Sequence, residues 1–186
     1  MHADRAHVAG MKTLISLSAV LLASTTTATA SPFHADAEID PTAYALSGNS
    51  IHVGLGYDRF RLDLGNFAMA VPRFVTGNDG FDASFDGWGI KLQMFTSAED
   101  HGLFVGVDGG LNRMLIQRGD FAARENQIGF GVQVGYRIMI YDHFYATPWL
   151  GVGYQFNAGD VTLDGATFKS TPVVVFPAVH LGYQFR

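Results

Sequence analysis

Val173-Val174-Val175-Phe176-Pro177-Ala178-Val179-His180-Leu181-Gly182-Tyr183-Gln184-Phe185-Arg186 closes the chain, and its alternation decides how the rest is read. Val173, Val175, Pro177, Val179, Leu181, Tyr183 and Phe185 are apolar. Between the later ones stand Ala178, His180, Gly182 and Gln184. Successive side chains of a strand point to opposite faces, so this period of two makes one greasy face and one small-or-polar face.

The same pattern recurs upstream. Ile51, Val53, Leu55 and Tyr57 alternate with His52, Gly54 and Gly56. Phe60, Leu62 and Leu64 follow in the opposite phase, so a tight turn or bulge is expected at Asp58-Arg59. Ile90, Leu92 and Met94 form a third strand, and Leu103, Val105 and Val107 a fourth. The longest run has Ile128, Phe130, Val132, Val134, Tyr136, Ile138 and Ile140 on one face. Leu150, Val152, Tyr154 and Phe156 precede the terminal strand.

Seven strands call for an eighth, because single-chain bacterial barrels carry even numbers. The weakly patterned stretch from Val161 to Ser170 is the first choice, and a strand before Ser50 is the alternative. Turn lengths bear on the choice. Tyr57-Asp58-Arg59, Ser97 to His101 and Tyr141-Asp142-His143 are short; Val71 to Ala83, Arg118 to Arg124 and Asn157 to Thr171 are longer. If short turns share one side of a membrane, Asn157 to Thr171 is a loop and the extra strand lies near the N-terminus. The sequence leaves both readings open.

Orientation is decided by the polar face. On a soluble barrel that face meets water and would hold Lys, Glu, Thr and Ser. Here it holds Gly, Gln, Arg and His, and only Lys91 and Lys169 occur after residue 30. Glycine weakens a solvent-facing strand but fits a narrow lumen. The apolar face carries no charge, and aromatics gather toward strand ends as in an interfacial girdle. The expected fold is therefore all-β: an antiparallel up-and-down transmembrane β-barrel of about eight strands, apolar side out.

Composition agrees. Charged residues make up 16% of the 186 residues, against about 25% in an average soluble domain. There is no cysteine. Met11 to Ala30 reads as an export signal with a basic start at Lys12, an apolar stretch and the small-residue end Ala28-Thr29-Ala30. Cleavage is expected after Ala30, and residues 1–30 are an upstream extension plus signal, with Met1 or Met11 as the start. Residues 31–49 are expected to form an N-terminal segment with a short helix at Asp40-Pro41, and residues 50–186 the barrel. Residues 31–186 carry 10 Lys+Arg against 16 Asp+Glu, a formal charge of −6. Nucleic-acid binders carry basic patches instead.

With its signal, its Gly-rich alternating strands and its Gly182-Tyr183-Gln184-Phe185 ending, the chain resembles the small outer-membrane β-barrel proteins of Gram-negative bacteria. The resemblance covers roughly residues 50 to 185. It implies a cell-outer-membrane location and a C-terminal aromatic read by the barrel-insertion machinery; here Arg186 follows that aromatic. The surroundings would be outer-membrane lipid and lipopolysaccharide, and the protein a monomer without cofactor or metal.

Turned inward, the polar face gathers Arg59, Arg61, Asp63, Lys91, Gln93, Asp108, Gln127, Gln133, Arg137, Gln155, His180 and Gln184. That set holds four cations and two carboxylates. An eight-stranded barrel is just wide enough for side chains to fill it, so a polar plug with a structural or surface-interaction role is the first expectation. A narrow channel for small anionic or hydrophobic solutes is one alternative, with the arginine excess favouring anions. A lipid-modifying enzyme is the other, since Ser50 stands two residues from His52 and some barrels of this kind carry a Ser-His pair at the rim. His101 and His143 complete the histidines near the barrel. Asn78-Asp79-Gly80-Phe81-Asp82 resembles part of a calcium loop but lacks its spacing, and Glu99-Asp100-His101-Gly102 reads as a polar turn.

Overall fold

A computed structural model describes residues 33–98 and 101–185. The export signal and its cleavage point lie outside the described residues.

Eight antiparallel strands close into a ring. They are β1 (Phe33–Ile39), β2 (Asn49–Tyr57), β3 (Phe60–Val71), β4 (Asp82–Phe95), β5 (Gly102–Arg118), β6 (Phe121–Tyr141), β7 (Phe144–Phe156) and, last in the chain, β10 (Val173–Phe185). Two three-residue strands, β8 (Val161–Leu163) and β9 (Ala166–Phe168), pair only with each other. Neighbours in sequence are neighbours in space, and β1 closes the ring against β10, with Ala37 opposite Tyr183. Closure pairs each of the eight strands with a neighbour on both sides, so within the ring the ladder groups find their partners in the protein.

The stretch Val161 to Ser170 is thus not the eighth barrel strand, and the barrel begins at Phe33 rather than at residue 50. The reason is register. β1 pairs β2 from Phe33–Tyr57 to Glu38–His52, and its alternating side chains continue the inner and outer faces of both neighbours. The phase change at Asp58-Arg59 is a two-residue hairpin in which Tyr57 pairs with Phe60 and Asp58 takes φ +53°. Arg118 to Arg124 is not a long loop. β5 and β6 run on to a two-residue turn, where Gly119 takes φ +56°.

The helix α1 (Pro41–Ala45) bridges β1 and β2. Asp40 caps it by accepting a hydrogen bond from the Thr42 backbone N–H at 2.9 Å, and Pro41 opens its first turn. Ser47 (φ +60°) turns the chain out of it, while Gly48 is needed because a Cβ there would run into the Ala68 carbonyl. A second short helix, α2 (Arg73–Thr76), sits between β3 and β4.

Burial inverts the pattern of a soluble barrel. Val53, Leu64, Leu92, Val105, Val132 and Val152 lie on the outside with about half their surface exposed, while Arg61, Asp63 and Arg137 inside are essentially inaccessible. Only hydrocarbon makes that arrangement favourable, so the ring is a membrane-spanning barrel. No described helix is long and apolar enough to cross a membrane.

The two ends differ. At one lie Phe33 and Phe185, where the described ring begins and ends, and the turns at 58–59 and 142–143. At the other lie α1, α2, the β8–β9 hairpin and the tip of β5–β6. There β4 to β6 outgrow the remaining strands: β5 pairs with β6 out to Arg118–Phe121, whereas β6 pairs with β7 only from Ile128–Phe156. The inner face of this wall turns apolar. Phe81, Ala83 and Ile116 bury themselves there against Phe168, with Val161, Leu163 and Ala166 of the hairpin packed around them.

Candidate functional site: the lumen

Inward positions along each strand place the polar side chains at successive levels of the barrel. Arg61 on β3 is the centre. Its Nε donates to Asp36 Oδ2 at 2.8 Å and its Nη2 to Asp36 Oδ1 at 2.5 Å. Its Nη1 donates to Gln93 Oε1 at 2.9 Å. The same guanidinium lies 3.0 Å from Asp63 and 3.3 Å from Glu38. Arg137, on the far wall, donates through Nη2 to Glu38 Oε1 at 3.0 Å and stacks 4.0 Å above the Tyr145 ring, with Phe95 at 5.0 Å. Asp36 and Glu38 therefore tie β1 to β3 on one side and to β6 on the other, neither of which is its ladder partner.

A second level sits on the first. His52 Nδ1 lies 2.9 Å from Asp63 Oδ1, and Lys91 Nζ 3.5 Å from the same oxygen. His180 Nδ1 lies 2.9 Å from Glu38 Oε2, and the His52 and His180 rings are 4.7 Å apart. Lys91 also lies over the Trp149 ring at 5.1 Å. The glycines opposite make this packing achievable: a Cβ at Gly54 would strike Arg61 and Asp36, one at Gly65 the His52 ring.

Of the residues expected in the lumen, Arg61, Asp63, Lys91, Gln93, Gln127, Gln133, Arg137, His180 and Gln184 are buried there. Asp108 and Gln155 point inward but keep partial exposure; Gln155 accepts from Asn112 at 3.0 Å. Arg59 does not belong. It lies in the β2–β3 turn, half exposed, 3.7 Å from Asp58. The phase reversal that marks the turn also takes Arg59 off the barrel wall.

Asp36 and Glu38 are absent from the expected set, and they change the electrostatics. Inside the bilayer-level lumen stand Asp36, Glu38, Asp63 and Asp108 against Arg61, Lys91 and Arg137. The arginine excess, the ground for anion preference, is gone. A signal for these acids exists in the sequence: four cations facing two carboxylates in a space with no room for solvent need partners, and Asp36-x-Glu38 is the next acidic pair with strand spacing.

The other singled-out residues find ordinary places. Ser50 and His52 are both buried in the lumen, and the Ser50 hydroxyl makes no hydrogen bond to His52 among the described residues. His143 Nδ1 pairs with the Gln184 carbonyl oxygen at 3.0 Å. Asn78 holds the Lys169 backbone, accepting its N–H at 2.7 Å and donating to its carbonyl at 3.1 Å, and Asp82 pairs with Arg73. Among the described residues no group of three or more His, Asp or Glu gathers as metal ligands would.

Two solved structures match this ring over nearly their whole length. Neisserial surface protein A is 14% identical, with 82% of this chain and 94% of that chain covered at a TM-score of 0.51. A major outer membrane protein from Thermus thermophilus is 12% identical, with 82% and 98% covered at 0.52. The chain has the fold of the small outer-membrane β-barrels. No protein-family model matches the sequence, and no curated protein matches it. At such identity the likeness speaks for the fold alone, so the contents of the lumen must be read from this chain's own residues.

Proposed function

We propose that the protein is a monomeric barrel of a bacterial outer membrane with a structural or surface-interaction role, its lumen closed by side chains. One observation carries this reading: Arg61 is fully buried and its guanidinium is shared among Asp36, Glu38, Asp63 and Gln93. Such a group holds its place because leaving one charge unpaired in a dry interior costs about 3–5 kcal/mol. A plug of this kind braces the walls and blocks passage together. The barrel's work then falls to its outer surfaces. Outer-membrane lipid and lipopolysaccharide surround the belt, and the long-loop end, with α2 and the β5–β6 tip, meets the outside. Assembly would go through the barrel-insertion machinery, with the Tyr183–Phe185 end as its handle. Catalysis on lipid is disfavoured because Ser50 and His52 face the lumen, where a bilayer lipid does not reach.

The test is reconstitution into planar bilayers of protein recovered from outer-membrane fractions. Heat-modifiable gel migration reports that the barrel is folded. The folded protein is expected to pass no steady current. Stable unitary conductance would overturn the sealed-lumen reading, and solubility without detergent would overturn the membrane reading as well.

A further inference from the structure

The tall wall has two flanks, and they are finished differently. On the β3 flank the Ala70 backbone N–H donates to the Leu46 carbonyl at 2.9 Å, so the chain leaving α1 closes that side. The β6 flank has no such cover. β6 starts at Phe121 and pairs with β5 along its whole rise, but β7 joins it only at Ile128. In a two-residue hairpin the closing pair, here Arg118 and Phe121, is hydrogen-bonded. Phe121, Ala123 and Glu125 therefore turn their backbone groups to β5, while Ala122, Arg124 and Asn126 turn theirs to the open side. Among the described residues none of those outward N–H and carbonyl groups is paired. The β8–β9 hairpin packs against the apolar inner face of the wall and pairs only with itself, so it leaves this edge free.

Exposed edges are ordinarily blunted by proline, lysine, a bulge or a covering segment. From Ala122 to Asn126 there is no proline or lysine, and the β5–β6 register runs without a shift. The edge also lies above the hydrocarbon. Trp88, Leu111 and Ile128 make the last apolar outward row, and Asp86, Arg113 and Asn126 make the next. Inside hydrocarbon an open edge is not tolerated; in water it is a template for another strand. Its outer face shows one charge. Arg113 is engaged by Asp86 at 2.6 Å, whereas Arg124 is exposed and makes no ion pair among the described residues. Glu125 beside it points to the inner face, toward Gly159. A second copy of the chain does not fit here. Copies inserted the same way run β6 in the same direction, and two identical edges join symmetrically only when antiparallel.

We infer that the β6 edge from Ala122 to Asn126 is a strand-addition site for an extended segment of a partner protein, with an acidic side chain that meets Arg124. Added antiparallel, the partner residue opposite Arg124 points to the same outer face, and its two neighbours lie opposite Ala123 and Glu125 on the inner one. The backbone supplies the affinity and Arg124 the choice of charge. The inference deepens the surface-interaction role and rests on the long-loop end facing outside.

Hydrogen exchange reads the edge directly. In full-length protein folded in detergent by the gel criterion, the Ala122, Arg124 and Asn126 amides are expected to exchange fast and those of Ala123 and Glu125 slowly. The probe is a capped heptapeptide of alternating valine and threonine whose central threonine is replaced by aspartate. It is expected to slow the three edge amides and, labelled with fluorescein, to bind saturably by anisotropy. A central lysine instead should weaken binding about fivefold, and Arg124→Glu should reverse the order of the two peptides. Ala122→Pro removes an edge donor while sparing the β5 ladder, and should lower the affinity for both. Edge amides that are slow before peptide is added, or that stay fast with it, overturn the site. So does equal binding of the two peptides, or binding unaltered by Ala122→Pro. Should that variant fail to fold, a peptide N-methylated where it faces β6 decides, and undiminished binding overturns the site. Labelled peptide on intact cells tests the orientation separately. Binding to purified protein but not to cells would leave the edge standing and overturn the outward-facing reading.

Discussion

β1 and the β8–β9 hairpin are both short, weakly patterned and flanked by turns, yet one closes the barrel and the other lies beside it. What separates them is the company their inward faces can keep. β1 offers Asp36 and Glu38 to a lumen whose guanidinium groups have few other acids within reach. The hairpin offers Val161, Leu163, Ala166 and Phe168, which pack where the tall wall is apolar on its inside. Phe168 meets Phe81 edge-on at 5.6 Å, a contact that belongs to the long-loop end. Membership of the barrel is thus decided by polar complementarity inside as much as by greasiness outside.

The sharpest way to break the comparison is Glu38→Ala. It strips contacts from Arg61, Arg137 and His180 at once and leaves two guanidinium groups undercompensated in a dry space. The expected loss is about 3–5 kcal/mol, read as a lower urea midpoint for the slow-to-fast gel transition in folded protein. A stability unchanged from the parent would mean that the plug contributes nothing and that β1 is held by its ladder alone.

A smaller effect distinguishes the outer faces. Ala37 sits on the lipid side of β1, opposite Val53 and Tyr183. Ala37→Arg places a charge near the middle of the belt and should cost about 2–4 kcal/mol. Thr162 of β8 is exposed and its hydroxyl lies 3.0 Å from that of Thr167. Thr162→Arg is expected to stay within about 0.5 kcal/mol. Equal costs in the same unfolding assay would remove the distinction between a barrel strand and an external hairpin.

The contrast also explains what can be read in advance. Strands β2 to β7 and β10 show themselves because bulky apolar residues alternate with Gly, Gln or Arg, and the same alternation assigns Arg61, Lys91, Arg137 and His180 to the lumen. β1 hides because its outward positions at mid-strand are Ala35 and Ala37, which give little contrast, and its inward ones are acids that resemble a polar loop. Its role becomes visible only when residues 25 and 99 positions later, Arg61 and Arg137, are placed beside it. Spacing also puts Asp108 on the lumen side, where register sets it opposite Lys91. Arg59 illustrates the opposite error, since strand-like spacing draws it into the wall although the two-residue turn claims it.

The faintest expected effect concerns the outer edge of the hairpin. Lys169 donates to Asp160 Oδ2 at 2.6 Å and the Ser170 backbone N–H donates to Oδ1 at 3.0 Å, and the two hydrogen bonds hold the Asp160 carboxyl below its ordinary value. A carboxyl with a lower pKa in the folded than in the unfolded state stabilises the fold above the ordinary carboxylate range. That contribution fades as pH falls through the folded value. Because Asp160 is solvent-exposed, screening keeps the effect small, and it should be confined to the base of β8–β9. Hydrogen-exchange protection of the Ser170 amide is expected to drop between neutral and strongly acidic pH while that of β1 amides at Asp36 and Ala37 persists. Asp160→Asn should remove the pH dependence at Ser170. Loss of protection at both segments over the same pH range would instead mean that the hairpin and the barrel open as one unit, in which case the tall wall transmits to the ring and the two regions are not independent.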